Sequence, residues 1–126
     1  MPLIAKPVSV FGAPTDVGAG TRGASMGPEA LRVAGFVEAL AARGVDVVDH
    51  GDAEGPRNPW QAPADGYRHL GEVVAWNRAV MDLSTAALEA GRMPVMLGGD
   101  HSLAIGSITA VARHCRAQGR RLRVLW

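Results

Sequence analysis

Short β-favouring runs alternate with helical-period segments along this chain, and glycine or proline stands at nearly every junction. Val8-Ser-Val-Phe11 is the first run, bounded by Gly12 and Pro14. A glycine-rich stretch from Gly12 to Gly27 follows. Pro28 then opens a segment in which Ala30, Leu31, Ala34, Val37 and Leu40 recur at helical spacing, with Gly44 as its stop. Val45 to Val48 reads as a second strand. The polar, Gly- and Pro-rich segment from His50 to Gly66 reads as a loop. A longer amphipathic helix is expected from Tyr67, through Leu70, Val73, Val74, Val80, Met81, Ala87 and Leu88, to Gly91. Pro94-Val-Met-Leu97 is a buried-strand pattern, Gly98 to Ser102 its turn, and Leu103 to Ala117 a third helix. Leu122 to Trp126 reads as a fourth strand, giving the order β-α-β-loop-α-β-α-β.

That order implies an α/β fold with parallel strands joined by crossover helices. Ligands in such sheets collect at the carboxyl ends of the strands. The fourth strand stops at Trp126, at that same edge, which predicts an incomplete domain. With 126 residues the chain is sized for one domain, not two. A net charge of +1 supplies no broad field for nucleic acid or a membrane surface, so neither is an expected partner. No apolar run is long enough to span a bilayer, and the opening Met1 to Pro7 lacks the apolar centre of a secretion signal. The single cysteine, Cys115, rules out an internal disulfide and fits a reducing compartment. A cytoplasmic location is the expectation.

The turn Gly98-Gly99-Asp100-His101-Ser102 holds the clearest chemical signal. A histidine directly after a strand, beside two glycines and a carboxylate and at a helix start, is well placed as a metal ligand. The competing reading is that Asp100 or Ser102 caps the helix and His101 fills a turn. One histidine makes no metal site in either case. Gly18-Ala-Gly20-Thr-Arg-Gly23 matches the dinucleotide pattern G-x-G-x-x-G, yet it begins well after Phe11 and its helix waits for Pro28. Asp46 and Asp49 lie further along than the ribose-binding acid would. A nucleotide-binding module is therefore a weak alternative. Asp16 and Arg22 are the polar residues of this loop; they either pair with each other and pin it, or face a ligand at the sheet edge.

Among the other residues, His50 is expected in a turn, and His69 and His114 on helices as solvent-facing or packing residues. Trp60, Trp76 and Trp126 are expected to pack, and Arg120, Arg121 and Arg123 to form a solvated basic edge.

Two segments together resemble the arginases and the wider ureohydrolase family. They are Gly12-Ala-Pro-Thr-Asp-Val-Gly-Ala-Gly-Thr-Arg-Gly-Ala-Ser-Met-Gly-Pro-Glu-Ala-Leu-Arg-Val-Ala-Gly35 and Met93-Pro-Val-Met-Leu-Gly-Gly-Asp-His-Ser-Leu-Ala-Ile-Gly106. The resemblance is colinear over essentially the whole chain, and the opening pattern through Arg32 is more like arginase than agmatinase. It implies a three-layer α-β-α fold of the arginase/deacetylase type with a mainly parallel sheet, here truncated after the fourth strand. It also implies two Mn²⁺ ions per active site in the complete protein, with His101 ligating one of them. Asp100 maps to a turn residue near the metal, with no direct ligation implied; Asp16 and Arg22 stay candidates from the loop's own residues. The family's Asp-x-His-x-Asp motif and later Asp-x-Asp pair, which complete the metal cage, are not present in this chain. No catalytic residue is therefore expected here, and the chain alone is expected to be inactive. For the parent protein the resemblance implies hydrolysis of L-arginine to L-ornithine and urea, a small guanidino substrate, and a homotrimer or homohexamer. Agmatinase or another guanidino or formimino ureohydrolase, and a non-catalytic truncated homologue, are the alternatives.

Overall fold

The computed structural model describes residues 6–126. Residues 1–5, which carry most of the opening segment discussed above, lie outside it. The elements run in the order β1 (Val8–Ala13), α1 (Gly27–Val33), α2 (Phe36–Ala41), β2 (Val47–Asp52), α3 (Leu70–Glu89), β3 (Met93–Gly98) and α4 (Ala104–Ala117), with short 3-10 turns at Ala24–Met26 and His101–Leu103. The three strands form one parallel sheet in the order β2-β1-β3. β1 is central and buried at every position, because its V-S-V-F-G-A sequence carries no charge and is covered on both faces. Val8 lies beside Val47 on one side and Met93 on the other.

Successive residues of a strand point to opposite faces, and two packed layers follow from that. Val8 and Val10, with Leu97 of β3, pack against Phe36, Val37 and Leu40 of α2. Phe11 and Ala13 point the other way, onto Trp76 and Val80 of α3 and onto Leu103. Helices on both faces of a parallel sheet make the three-layer α/β architecture that the sequence implied. Among the described residues no helix is long and apolar enough to cross a membrane.

Three expectations are corrected. The helix from Pro28 to Gly44 is two short helices, because Gly35 adopts a left-handed conformation (φ 84°) that α-helix does not admit. The second strand begins later and runs further, to Asp52, so His50 lies in the strand and not in a turn; its Nε2 is 3.1 Å from Ser9 Oγ. The polar sequence there is compatible with a strand because β2 is an edge, open to water over most of its length. Leu122 to Trp126 is not a fourth strand. An apolar run has strand propensity, but a strand exists only where a neighbour completes its ladder, and none of the described strands pairs with these residues. Val124, Leu125 and Trp126 are exposed, so Trp126 does not pack in the core as expected. Arg120, Arg121 and Arg123 are exposed, in line with a solvated edge.

Candidate functional site

The carboxyl ends of the three strands carry three loops, and these meet. After β3 the chain extends at Asp100 (φ −83°, ψ 170°), and the Asp100 carboxylate accepts a hydrogen bond from the Ser102 N–H at 2.8 Å. This is an N-cap: the side chain satisfies a backbone donor that the first turn leaves unpaired. Leu103, fully buried against Phe11 and Val80, anchors the turn from below. His101, between the cap and the anchor, is exposed at the sheet's open edge. Its ring centroid is 5.4 Å from that of Trp126, with the planes inclined at 55°. The two rings share a shallow cleft of about 540 Å³ with Gly98, Gly99 and Asp100.

The loop after β1 lies directly on this turn. The Gly18 N–H donates to Asp100 Oδ2 at 2.8 Å. A Cβ built at Gly18 would sit 2.7 Å from Ser102 Oγ and 2.9 Å from Asp100 Oδ1, closer than side chains tolerate. Glycine is present here for close approach to a protein turn. A Cβ built at Gly20 or Gly23, the other members of the dinucleotide-like pattern, would meet none of the described residues within 4 Å, and no helix begins inside the pattern. The arrangement lacks the helix N-terminus on which a pyrophosphate would rest.

Asp16 and Arg22 do not form the ion pair considered above. Asp16 is turned inward, 6% exposed; its carboxylate accepts from Asn58 Nδ2 at 3.0 Å and from the Gly23 N–H at 3.4 Å. Arg22 is exposed and lies over the face of Trp60, 5.2 Å from the ring centroid. Neutral donors satisfy the buried carboxylate, while the guanidinium keeps its hydration and gains the aromatic face. Both residues line a second, larger cleft of about 970 Å³ beyond the ends of β1 and β2, with Asn58, Trp60 and Trp76.

Two structural organisers of these loops were not legible in the sequence. Asn58 donates to Asp16 and accepts from the Trp60 N–H at 2.9 Å. Of the two roles expected for His69, solvent-facing or packing, the structure gives the buried one, and the residue precedes the helix. It is buried just before α3, where Nδ1 donates to the Val17 carbonyl at 2.7 Å and Nε2 accepts from the Gln61 N–H at 3.0 Å. These two side chains tie the loop after β1 to the Pro-rich loop after β2. Only the polar, turn-forming character of Asn58 between prolines could have hinted at one of them. Trp76 is buried and donates its indole N–H to the Pro56 carbonyl at 2.8 Å, as a packing residue with a polar tip does.

Among the described residues no group of three or more His, Cys, Asp and Glu side chains comes together as a metal site. His101 is an available donor, whereas both Asp100 oxygens are engaged by backbone N–H groups. A divalent ion needs several ligands. The described residues offer the exposed His101 imidazole and do not assemble a metal centre.

The sequence model of the Arginase family matches residues 6–126. The arginase of Brevibacillus brevis is 39% identical over 114 residues, which are 90% of this chain and 38% of that protein. The arginase of Bacillus caldovelox is 38% identical over 123 residues, 96% of this chain and 40% of its own length. The native crystal structure of the latter superposes with a TM-score of 0.80 over 87% of this chain and 38% of that one, at 38% identity. The agmatine ureohydrolase of Thermoplasma volcanium superposes with a TM-score of 0.62 at 25% identity, covering 83% and 34%. The chain thus spans about 40% of the length of the curated relatives it matches. On a family match across all the described residues, the chain belongs to the arginase family.

Proposed function

We propose that this chain carries the first share of an arginase-type active site, in which a guanidinium C–N bond of L-arginine is hydrolysed to L-ornithine and urea. The observation that carries the reading is the exposed His101 at the carboxyl end of β3, in a Gly-Gly-Asp-His-Ser turn colinear with arginases. Its role is that of one ligand to one of two Mn²⁺ ions, whose other ligands the described residues do not supply. When bound, such a pair supplies an acidified water able to attack a resonance-stabilised guanidinium at neutral pH. The chain's own part is to hold the imidazole at the open edge, with Asp100 capping the turn and Leu103 anchoring it. Asp16, Arg22 and Trp60 wall the neighbouring cleft. A cytoplasmic homotrimer or homohexamer is part of the same proposal.

The test is a chimaera in which residues 1–126 replace the matching segment of the Bacillus caldovelox arginase. Loaded with Mn²⁺, it is expected to release urea from arginine, and His101→Ala is expected to lower that rate by more than the roughly 10–100-fold that loss of a ligand's outer-shell partner costs. The 126-residue chain alone is expected to release none. A folded, metal-loaded chimaera that leaves arginine intact would sink the reading. Preference for agmatine would move it to the second reading, agmatinase, which the fold shared with the Thermoplasma volcanium enzyme favours.

A further inference from the structure

The loop after β1 and the turn after β3 are far apart in sequence, with 82 positions between Gly18 and Asp100, and three backbone donors join them. Gly18 N–H donates to Asp100 Oδ2 at 2.8 Å, Asp100 N–H to the Thr15 carbonyl at 3.2 Å, and Gly99 N–H to the Ala24 carbonyl at 3.2 Å. Asp100 takes part in two of the three. Its other oxygen caps Ser102 N–H at 2.8 Å, so both carboxylate oxygens are directed, one at each segment. An N-cap alone needs one acceptor oxygen. The second bond spans 82 positions of sequence and has nothing to do with starting a helix. The seating is tight on both sides: Ser102 Oγ is buried without a hydrogen-bond partner among the described residues, beneath Gly18.

We infer that Asp100 is a positioning residue that clamps the glycine-rich loop to the His101 turn, so that Asp16 and Arg22 are set in fixed relation to the imidazole. A charged acceptor forms stronger bonds to N–H donors than a neutral one, which explains a carboxylate here where a hydroxyl would suffice as a cap. The clamp ties the wall of the larger cleft to the turn that carries His101. Its functional meaning rests on His101 as a metal ligand; its existence does not.

Asp100→Ser separates the two roles. Serine is a good N-cap, so Ser102 keeps an acceptor and the start of α4 is preserved, but the shorter side chain does not reach Gly18. Asp100→Asn retains one carbonyl oxygen and presents an NH₂ group to the other donor. In the 126-residue chain, amide hydrogen exchange at Gly18 is expected to accelerate at least tenfold in Asp100→Ser, and by less in Asp100→Asn. Trypsin cleavage after Arg22 should quicken in the same order, while helical circular dichroism stays unchanged. A residue that only caps the helix would leave exchange and cleavage as they are in both variants, and that result overturns the proposal. Both readouts are taken without metal, so they decide the clamp whatever the chimaera shows of His101 as a ligand.

Discussion

On one face of the sheet lie the 20-residue α3 and the 14-residue α4; on the other lie α1 and α2, with seven and six residues. The first face buries Phe11, Val17, Trp76, Val80 and Leu103 in one continuous cluster. The second buries Val8, Val10 and Leu97 under the half-buried Phe36, Val37 and Leu40, and leaves Val33 of α1 80% exposed. Fastening by ion pairs follows the opposite trend. On the thin side Arg32 reaches from α1 to Asp49 at 2.7 Å and Asp52 at 2.6 Å on β2. The difference teaches where precision is kept. The His101 turn grows out of the thick face through Leu103, so the candidate ligand is carried by the better-packed half. The thin half holds its short helices partly through surface charges, which are weak and sensitive to conditions.

The largest test of this contrast is Phe11→Ala. Phe11 is 1% exposed at the centre of the thick cluster, so its truncation removes transfer free energy and leaves a cavity. A loss of about 3–5 kcal/mol is expected, enough to unfold a domain of marginal stability. Leu40→Ala on the thin face, where the side chain is only half-buried, should cost clearly less. Urea denaturation of both variants measures the gap. Equal losses would show that the two faces contribute alike and would break the comparison.

A smaller effect is expected inside the thick layer, where α3 and α4 touch. Asn77 is 7% exposed; its Oδ1 accepts from the Gly106 N–H at 2.7 Å and its Nδ2 donates to the Val73 carbonyl at 2.9 Å. Gly106 lies so close to the Asn77 backbone that a Cβ there would collide with the carbonyl oxygen. Asn77→Ala leaves a buried donor at the start of α4 without its partner. The expected cost is about 1–3 kcal/mol. The Gly106 amide should also lose protection in hydrogen exchange, and unchanged protection would show that water replaces the side chain there.

These residues mark the line between what a sequence reveals and what it hides. β1 and β3 were legible because Val8 to Phe11 and Pro94 to Leu97 are mainly apolar runs, and such runs mean a strand when both faces are covered. The turn at His101 was legible because strand, glycines and cap residue are contiguous. Leu122 to Trp126 misled, since propensity is local while a ladder requires a neighbour. The break at Gly35 was hidden because Ala34 and Val37 continue the helical apolar spacing across it. Asn77, His69 and the second bond of Asp100 were invisible for a common reason. Their partners lie 29, 52 and 82 positions away, and no local pattern encodes a distant backbone donor or acceptor.

The smallest expected effect sharpens the thin side. Hydrogen bonding to Arg32 holds the Asp49 carboxyl below the usual carboxylate range, and Arg92 does the same to Asp46. A carboxyl whose pKa is lower folded than unfolded stabilises the fold above the unfolded value, about 3.9. That stabilisation is lost as pH falls through the lower, folded value. The contribution of these pairs should therefore be complete at neutral pH and fade only below about pH 4. Arg32→Gln should cost about 1 kcal/mol at pH 7, because the pair is partly exposed and screened. Its stability curve should converge on that of the unsubstituted chain in acid. Chemical denaturation at pH 7 and near pH 3 checks this. A difference that persists undiminished in acid would mean that Arg32 acts through its aliphatic packing against the edge strand, and the thin face would then owe its fastening to contact area instead of charge.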